Sequence, residues 1–332
     1  MKAIYLDNNA TTRLDPMVLE AMMPFMTEHY GNPSSIHGFG EPVRKGIERA
    51  REQVAALLGA AHDSEIIFTS CATEANSTAI LSAVEALPER KEIITTVVEH
   101  PAILEVCEHL ERRGYTIHRL PVDNQGRLDL DHYQSLLSEN VALVTVMWAN
   151  NETGTVFPVQ TMATMAKEKG VLFHTDGVQA VGKFPIHLAS SDIDMLSFSG
   201  HKIHAPKGVG ALYVKRGSRF RPLLRGGHQE RGRRAGTENA AGIVGLGMAC
   251  ELAEVHMPMM SHLAELRDEL QAGLLAKVPC SIVTGDSENR TPNTLNIAFE
   301  YIEGEAILLM LNQLGIAASS GSACTSGSLE QI

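Results

Sequence analysis

The feature that most constrains the fold is the alternation of short β-branched runs with amphipathic stretches between Ser64 and Val214. A repeated strand–helix–strand pattern is typical of a mostly parallel sheet that helices cover on both faces. Ligands of such sheets bind beyond the carboxyl ends of the strands, so we expect chemistry just after each strand. The predicted strands are Glu65–Thr69, Glu92–Val98, Tyr115–Leu120, Val141–Met147, Val171–Thr175, Met195–Ser199 and Val209–Val214, and the predicted helices between them are Thr73–Ala86, Ala102–Arg113, Asp129–Leu137 and Val159–Lys169.

A second alternation of helix and strand patterns follows residue 255 and predicts a smaller α/β domain. We therefore divide the chain into a large domain, residues 16–254, and a small domain, residues 255–332, with residues 1–15 as an N-terminal arm that belongs to the small domain. The small domain ends in a Ser/Gly-rich loop at residues 319–328.

The composition excludes several classes of function. The chain has 332 residues, of which 44% are hydrophobic and 20% charged, and its formal net charge is -11. An acidic chain is a poor partner for nucleic acid or an anionic membrane. Met1 to Thr12 show no secretory pattern, and the longest apolar stretch, Val141 to Ala149, is too short to span a bilayer. We therefore expect a cytoplasmic protein.

Cysteine and histidine usage argues against a disulfide framework or a zinc site. The five cysteines form no C-x-x-C pair, and an odd number favours reduced thiols. His201 and His204 lie close in sequence, but no cysteine or carboxylate stands at a spacing that would complete a metal site. We expect no metal held by the protein alone. The cysteines are Cys71, Cys107, Cys250, Cys280 and Cys324.

The segment after the first predicted strand could bind a phosphate. Ser70-Cys71-Ala72-Thr73-Glu74 opens a helix, and the first turn of a helix offers backbone N–H groups and the positive end of a dipole. A capping box, with Ser70 as the cap and Thr73-Glu74 in the first turn, explains the same residues without a ligand. Both interpretations stay open from these residues alone.

Further predicted strands are followed by polar side chains of distinct types: His100, Asn151, Asp176 with Gln179, and Lys202. Taken singly, each has a structural explanation, such as a turn asparagine, a helix-capping aspartate or a solvated lysine. Taken together, they offer a carboxylate for a pyridinium nitrogen, an imidazole that can stack on a ring and an amine that can form a Schiff base. With phosphate donors nearby, this is the set that pyridoxal phosphate requires.

Two more segments each allow two interpretations. Cys324 lies in the Ser/Gly-rich run Ser319–Ser328 and is either an ordinary linker thiol or a nucleophile that a mobile loop carries into a site. The arginine-rich segment, residues 219–234, is either a solvated face or a loop that reaches the phosphate site of a neighbouring subunit. Its near lack of aromatic residues disfavours nucleic-acid binding.

Several motifs spread along the chain carry a resemblance to a known family. They are Tyr5-Leu6-Asp7-Asn8-Asn9-Ala10-Thr11-Thr12, Gly31-Asn32-Pro33-Ser34-Ser35, Thr69-Ser70-Cys71-Ala72-Thr73-Glu74, Glu99-His100-Pro101, Trp148-Ala149-Asn150-Asn151-Glu152-Thr153-Gly154, Ser199-Gly200-His201-Lys202, Arg225-Gly226-Gly227-His228-Gln229-Glu230, Arg234-Ala235-Gly236-Thr237-Glu238-Asn239 and Ser319-Ser320-Gly321-Ser322-Ala323-Cys324-Thr325-Ser326. With these motifs the chain resembles the class I cysteine desulfurases, specifically the nitrogen-fixation (NifS) type. The resemblance covers essentially the whole chain, and the lysine and cysteine motifs together are very specific.

The resemblance implies a fold-type I pyridoxal-phosphate-dependent transferase that converts L-cysteine to L-alanine. Lys202 would form a Schiff base with the cofactor and move the Cα proton. Asp176 would pair with the pyridine nitrogen, and His100 would stack on the ring and shuttle protons. Gln179 would bond the phenolic oxygen, with Asn151 beside it near the substrate. The implied phosphate ligands are Ala72, Thr73, Ser199 and His201, joined by Thr237 from the partner subunit of a homodimer, and Gly200 is a further implied cofactor-binding residue.

The resemblance also implies the route of the sulfur. Cys324 would attack the sulfur of the bound cysteine and keep it as a persulfide. An iron–sulfur scaffold protein serving nitrogenase assembly would accept it, and Cys324 would contact the cluster during transfer. Family members usually continue beyond the Ser/Gly-rich loop, and that segment would complete the small domain and supply an arginine for the substrate carboxylate.

Two alternatives to this function stay open. One is an aminotransferase or selenocysteine lyase of the same fold, which the Ser/Gly-rich loop around Cys324 disfavours because it is short. The other is a truncated, non-catalytic relative that keeps the cofactor and the dimer but has lost turnover.

Overall fold

The computed structural model describes residues 3–321, and the alternation of strands and helices predicted between Ser64 and Val214 is present in it. Within this range the strands are β1 (Ile4–Tyr5), β2 (Ile66–Thr69), β3 (Glu92–Thr96), β4 (Thr116–Leu120), β5 (Val141–Thr145), β6 (Leu172–Asp176), β7 (Met195–Ser199), β8 (Gly210–Val214), β9 (Ser281–Val283), β10 (Ile297–Phe299) and β11 (Ile316–Ala317). The α-helices are α1 (Pro16–Thr27), α2 (Glu41–Leu57), α3 (Ala72–Ala86), α4 (Pro101–Glu111), α5 (Leu130–Leu136), α6 (Val159–Glu168), α7 (Ala240–His256), α8 (Met260–Lys277) and α9 (Gly304–Gln313).

The centre of the molecule is a seven-stranded sheet with the strand order β2-β8-β7-β6-β5-β3-β4. Strand β8 runs antiparallel to both of its neighbours, and the remaining pairs are parallel. The prediction of a mostly parallel sheet is therefore confirmed. The strands β5, β7 and β8 are buried along their whole length, because both faces of the sheet are covered.

Successive residues of each strand enter two different apolar cores. Ile67 and Leu143 pack with α3 and α4 on one face of the sheet. Phe68 and Val144, their immediate neighbours, pack on the opposite face with α2, α6 and α7. This is the three-layer arrangement that the strand–helix pattern predicts, since adjacent side chains of a strand point to opposite faces.

The N-terminal arm and the C-terminal part of the described chain contain two separate two-stranded sheets. Strand β1 pairs in parallel with β11, and β9 pairs antiparallel with β10. An ion pair joins the loop between β9 and β10 to the loop between β4 and α5, because Arg127 Nε lies 2.7 Å from the buried Asp286 carboxylate. The division into a large and a small domain stays a prediction.

Helices α7 and α8 form a nearly continuous helical run, Ala240–Lys277, that is long and apolar enough to cross a bilayer by length and composition. Helix α7 buries Ile243, Leu246 and Ala249, and it packs against α1 and α2 in the core of the molecule. The apolar character of α7 is therefore accounted for by the protein interior.

Candidate active site

A cavity of about 220 Å³ opens where the parallel strands end, at the edge of the sheet at which ligands were expected. Residues from separate strand ends and from the N-terminal arm line it, and it lies where β2, β3, β5, β6 and β7 deliver their carboxyl ends. Of the residues predicted from the sequence, those that line it are Ala72, Thr73, His100, Asn151, Asp176, Gln179, Ser199, His201 and Lys202.

The N-terminus of α3 forms one wall of the cavity. The predicted cap, Ser70, is wrong: Cys71 is the N-cap and its side chain makes no capping bond. The side chain of Glu74 turns back to accept the Ser70 N–H at 2.8 Å, outside the helix. No side-chain cap therefore occupies the first backbone N–H groups of α3, and they can donate to a ligand, as an anion site at a helix start requires.

Close backbone packing holds this helix start against the sheet. Gly210, the first residue of β8, lies so near the turn before α3 that a Cβ atom there would come within 2.9 Å of the Cys71 carbonyl carbon. A larger residue would displace the turn. Gly210 therefore determines the position of the turn before α3, which belongs to the wall of the cavity.

A buried carboxylate forms another part of the cavity. Asp176 ends β6 and is 5% exposed. Its Oδ2 accepts a hydrogen bond of 2.7 Å from Asn76 Nδ2, and its Oδ1 accepts one of 2.9 Å from the Val178 N–H. Burial raises the pKa of Asp176, while those donors and the positive charge of Lys202 oppose that rise. A cationic ring nitrogen in the cavity would likewise stabilise the ionised form of this buried carboxylate.

His100 occupies the end of the loop after β3 and is the N-cap of α4, where its Nδ1 accepts the Ala102 N–H at 3.1 Å. Burial lowers the pKa of His100, Asp176 raises it, and Lys202 lowers it further. The imidazole is therefore held in its neutral form. Since Nδ1 accepts, the proton of the neutral ring sits on Nε2.

Lys202 follows β7 on a short 3-10 turn and extends into the cavity. Its Nζ donates to the main-chain oxygens of Asn9 and of Ala10, the latter at 2.9 Å. Gln179 Nε2 donates to the same Asn9 oxygen at 3.0 Å. The N-terminal arm therefore lies over the reactive amine.

His201 precedes Lys202 and also lines the cavity. Its Nδ1 lies 3.1 Å from Thr11 Oγ1. Burial, together with the positive charges of Lys202 and Lys207, lowers the pKa of His201 to about 4. A neutral imidazole beside a helix start can donate one hydrogen bond to an anion without adding a charge of its own.

Two predicted site residues within residues 3–321 are not among the cavity-lining groups. Gly200 is buried behind it, where a Cβ would meet Ala205 at 2.9 Å and Leu246 at 3.0 Å. Thr237 is exposed on the surface of the subunit. Cys324 lies outside the described residues, which end at the start of the Ser/Gly-rich loop.

Two arginines at the end of the arginine-rich segment are half-buried and bonded within their own chain. Arg234 makes a two-pronged ion pair with Glu74, with Nε–Oε1 at 2.8 Å and Nη2–Oε2 at 3.1 Å. Arg233 Nη2 donates to the Ser64 carbonyl at 2.8 Å. These contacts fasten the end of the segment to α3 and to the turn before β2, whereas Arg219, Arg221, Arg225 and Arg231 are exposed.

Sequence reasoning missed part of the cavity lining. Asn76 lies in the interior of α3, one hundred positions before Asp176, and only the fold brings the two together. An asparagine on the buried face of a helix was the available signal. The other lining residues that were not predicted as site residues are Asn9, Ala10, Cys71, Ala102, Met147, Ala149, Val178, Ser319 and Gly321.

The comparisons with known proteins identify this arrangement. Residues 4–332 match the family model described as Aminotransferase class-V. The chain belongs to the class-V aminotransferases, which are fold-type I enzymes that depend on pyridoxal phosphate. Within that family it belongs to the cysteine desulfurases, as relatives of high identity that carry this name indicate.

The relatives match almost the whole chain. A cysteine desulfurase of Enterobacter agglomerans is 72% identical over 330 residues, 99% of this chain and 82% of the relative. The cysteine desulfurase NifS of Azotobacter vinelandii is 66% identical over 334 residues, with the same coverage of 99% and 82%. A solved NifS-like protein is 41% identical, with a TM-score of 0.92 over 96% of this chain and 88% of that one.

Proposed function

We propose that this cysteine desulfurase removes sulfur from L-cysteine, releases L-alanine and leaves the sulfur on Cys324 before an acceptor takes it. The observation that carries the proposal is the meeting, in one cavity, of the Lys202 amine, the buried Asp176 carboxylate and the uncapped start of α3. The match to relatives named cysteine desulfurase supports the same reaction.

The residues present fit pyridoxal phosphate. Asp176 offers a buried carboxylate to the pyridine nitrogen, and the orphaned Asn76 Oδ1 beside it marks polar space that a ligand or water would fill. Lys202 supplies the amine that would hold the cofactor covalently, His100 would lie against its ring, and Gln179 would bond its phenolic oxygen. The proposed phosphate donors are Ala72, Thr73, Ser199 and His201, with Thr237 from a partner subunit; Gly200 has no donor to offer, since its N–H donates to the Val209 carbonyl at 3.0 Å.

When bound, pyridoxal phosphate supplies a carbonyl carbon that links to amines and a ring that takes up the electrons left by a departing Cα proton. The protein's own part is to place an amine and move a proton. Lys202 Nζ would take the proton from the substrate Cα and later return it, with Asn151 beside the substrate. The carbonyl oxygens of Asn9 and Ala10 stabilise the amine while it carries the extra proton.

Sulfur transfer needs a nucleophile, and we assign it to Cys324. Its thiolate would attack the substrate sulfur, so that a new S–S bond forms while the substrate Cβ–S bond breaks. The electron pair of the broken bond remains on the carbon side, which is then protonated to alanine. Since Ser319 and Gly321 line the cavity, the loop begins within reach of the site.

We further propose a homodimer in the cytoplasm that hands the sulfur to an iron–sulfur scaffold for nitrogenase assembly. Tyr30, Ile36 and Phe39 form an exposed apolar patch beside α1, and Ile36 is fully exposed in the single chain. Such a patch is typical of a surface that another subunit covers. Thr237 is also exposed, as a residue that serves the partner's phosphate site must be.

The test of the proposed function compares two thiols of the same chain. Cys324→Ala should still bind the cofactor and cysteine but should stop alanine release, because no thiol remains to take the sulfur. Cys71→Ala removes a thiol that lines the cavity and should leave turnover within about threefold of the parent, because no step is assigned to it. Alanine and protein-bound sulfur are measured in parallel.

Two outcomes would contradict the proposal. Alanine release at the parent rate by Cys324→Ala would make that residue a linker thiol. A parent chain that binds cofactor and cysteine but forms no alanine would favour the non-catalytic alternative.

A further inference from the structure

The N-terminal arm makes a tight turn above the end of β7. The Ala10 N–H donates to the Asp7 carbonyl at 3.1 Å, and Thr12 donates to the His201 carbonyl through both its N–H and its hydroxyl, each at 2.9 Å. The pairing of β1 with β11 holds the other end of the arm. The turn at residues 8–10 is thus fastened on both sides of the reactive lysine.

The side chain of Asn9 ties this turn to two other segments. Its Nδ2 donates to Thr294 Oγ1 at 2.9 Å and to the Asn151 carbonyl at 3.2 Å. Its Oδ1 accepts a hydrogen bond of 2.8 Å from Asn293 Nδ2. The neighbouring Asn8 contrasts with it, since the Asn8 Nδ2 donates within the arm, to the Tyr5 carbonyl at 3.5 Å.

The main chain of the same turn receives the reactive amine. Lys202 Nζ donates to the carbonyl oxygens of Asn9 and Ala10, and Gln179 Nε2 donates to that of Asn9. Two carbonyl oxygens aimed at one ammonium make charge-assisted hydrogen bonds, which are stronger than those between neutral groups. A carbonyl oxygen can do this only if the turn that carries it is held in place.

We propose that Asn9 is a positioning residue for Lys202: its side chain anchors the turn whose carbonyl oxygens hold the lysine amine whenever that amine is not joined to the cofactor. The inference rests on the proposed role of Lys202. It adds that the amine, once displaced by substrate, has a prepared position close to the site. It also adds that residues 293–294, far along the chain, control that position through Asn9.

Each turnover needs such a position. The Lys202 amine must leave the cofactor carbon, accept a proton and come back to the same place. An ammonium without acceptors inside a protein is costly, and a long side chain would otherwise sample many rotamers. The two carbonyl oxygens accept hydrogen bonds from the ammonium and restrict the rotamers of the side chain, provided that Asn9 holds the turn in place.

The test measures the reactivity of single lysines in the full chain after removal of the cofactor. The protein is treated briefly with trace isotopic acetic anhydride, and acetylation of Lys202 is quantified by peptide mass spectrometry against Lys183, a nearby lysine, in the same sample. Asn9→Ala should raise the Lys202 to Lys183 ratio by about tenfold, the effect of losing one strong hydrogen bond. Asn8→Ala, the matched control, should leave the ratio within about twofold of the parent.

A second pair of variants covers the case in which Asn9→Ala does not fold. Thr294→Val keeps the side-chain shape but removes one acceptor of Asn9 Nδ2, and it should raise the ratio by about threefold. Thr291→Val removes only the hydroxyl that donates to Thr294 at 2.9 Å, and it should leave the ratio unchanged.

Two results would overturn the inference. One is a parent-like ratio in both Asn9→Ala and Thr294→Val. The other is acetylation of Lys183 that rises in step with that of Lys202, because general loosening would then explain the effect. The proposed function is tested separately by finding which lysine carries the cofactor in the loaded parent chain. If that lysine is not Lys202, the acetylation ratio still shows whether Asn9 holds the Lys202 amine.

Discussion

The buried ion pair between Arg51 and Glu230 offers a sharp test of how the arginine-rich segment is fastened. Glu230 accepts two hydrogen bonds from the Arg51 guanidinium, at 2.8 and 2.6 Å, and a third of 3.0 Å from the Phe68 N–H. The two side chains are 11% and 4% exposed. Arg51 also donates to the Ile66 carbonyl at 2.8 Å and stacks on the Phe68 ring. The pair thus joins α2, β2 and the segment that precedes Thr237.

Replacing Glu230 by Gln removes the negative charge but keeps the size of the side chain. A buried guanidinium without its counter-ion destabilises the fold, and breaking such a pair costs about 3–5 kcal/mol. The matched control is Glu85→Gln, which breaks the ion pair with Arg225 on the surface, where the side chains are 50% and 60% exposed. We expect that change to cost less than about 1 kcal/mol.

The measurement is urea denaturation of the parent, of the single variants Glu230→Gln, Arg51→Met and Glu85→Gln, and of the double variant that combines Arg51→Met with Glu230→Gln. The double variant should cost less than the sum of its singles by about 2 kcal/mol, because it no longer buries an uncompensated charge. Denaturation midpoints are compared at equal slope, so that changes in the unfolded chain are recognised. A Glu230→Gln cost no larger than that of Glu85→Gln, or strict additivity in the double variant, would refute the reasoning.

Three further results are expected. Burial lowers the pKa of His174 to about 3, so between that value and the unfolded pKa of about 6.5 only the unfolded chain takes up the proton. Between pH 7.5 and 5 the free energy of unfolding should therefore fall by about 2 kcal/mol because of this group. In His174→Gln the urea midpoint should vary less with pH over that range. Burial raises the pKa of Glu99 to about 8, so between about pH 4.5 and 8 this carboxyl ionises only in the unfolded chain. The free energy of unfolding should therefore fall as the pH rises through this range, and Glu99→Gln should remove that fall. Asn76→Leu removes the hydrogen bond of 2.7 Å to Asp176 and should weaken cofactor binding by about tenfold in an absorbance titration. An unchanged affinity would show that Asn76 does not contribute to cofactor binding.

Most of the fold could be predicted from the sequence because its signals are local. Val141–Thr145 is a continuous apolar and β-branched run, as a strand buried on both faces requires, and turn residues bound it. Strand β7 has the predicted bounds, and the other strands of the central sheet differ by one or two residues at their ends. The ends differ because hydrogen bonds to neighbouring strands, rather than residue preferences, decide where a strand stops.

The site could be predicted in part for a related reason. His100, Asp176 and Lys202 each follow a strand, and parallel strands bring their carboxyl ends to one edge. Asn76 and the carbonyl oxygens of the arm were missed, because their partners lie far away in the chain and backbone acceptors have no sequence signature. The Ser70 cap failed because α3 begins at Ala72, so that Cys71 rather than Ser70 occupies the N-cap position.

The most direct test of the central claim is to find the residue that binds the cofactor covalently. The loaded protein is reduced with borohydride, digested, and its pyridoxyl-labelled peptide sequenced by mass spectrometry. We predict a single label on Lys202, lost in Lys202→Ala, because that amine alone among the described lysines lines the cavity with Asp176. A label on another lysine, or its persistence in the Lys202→Ala chain, would contradict the account.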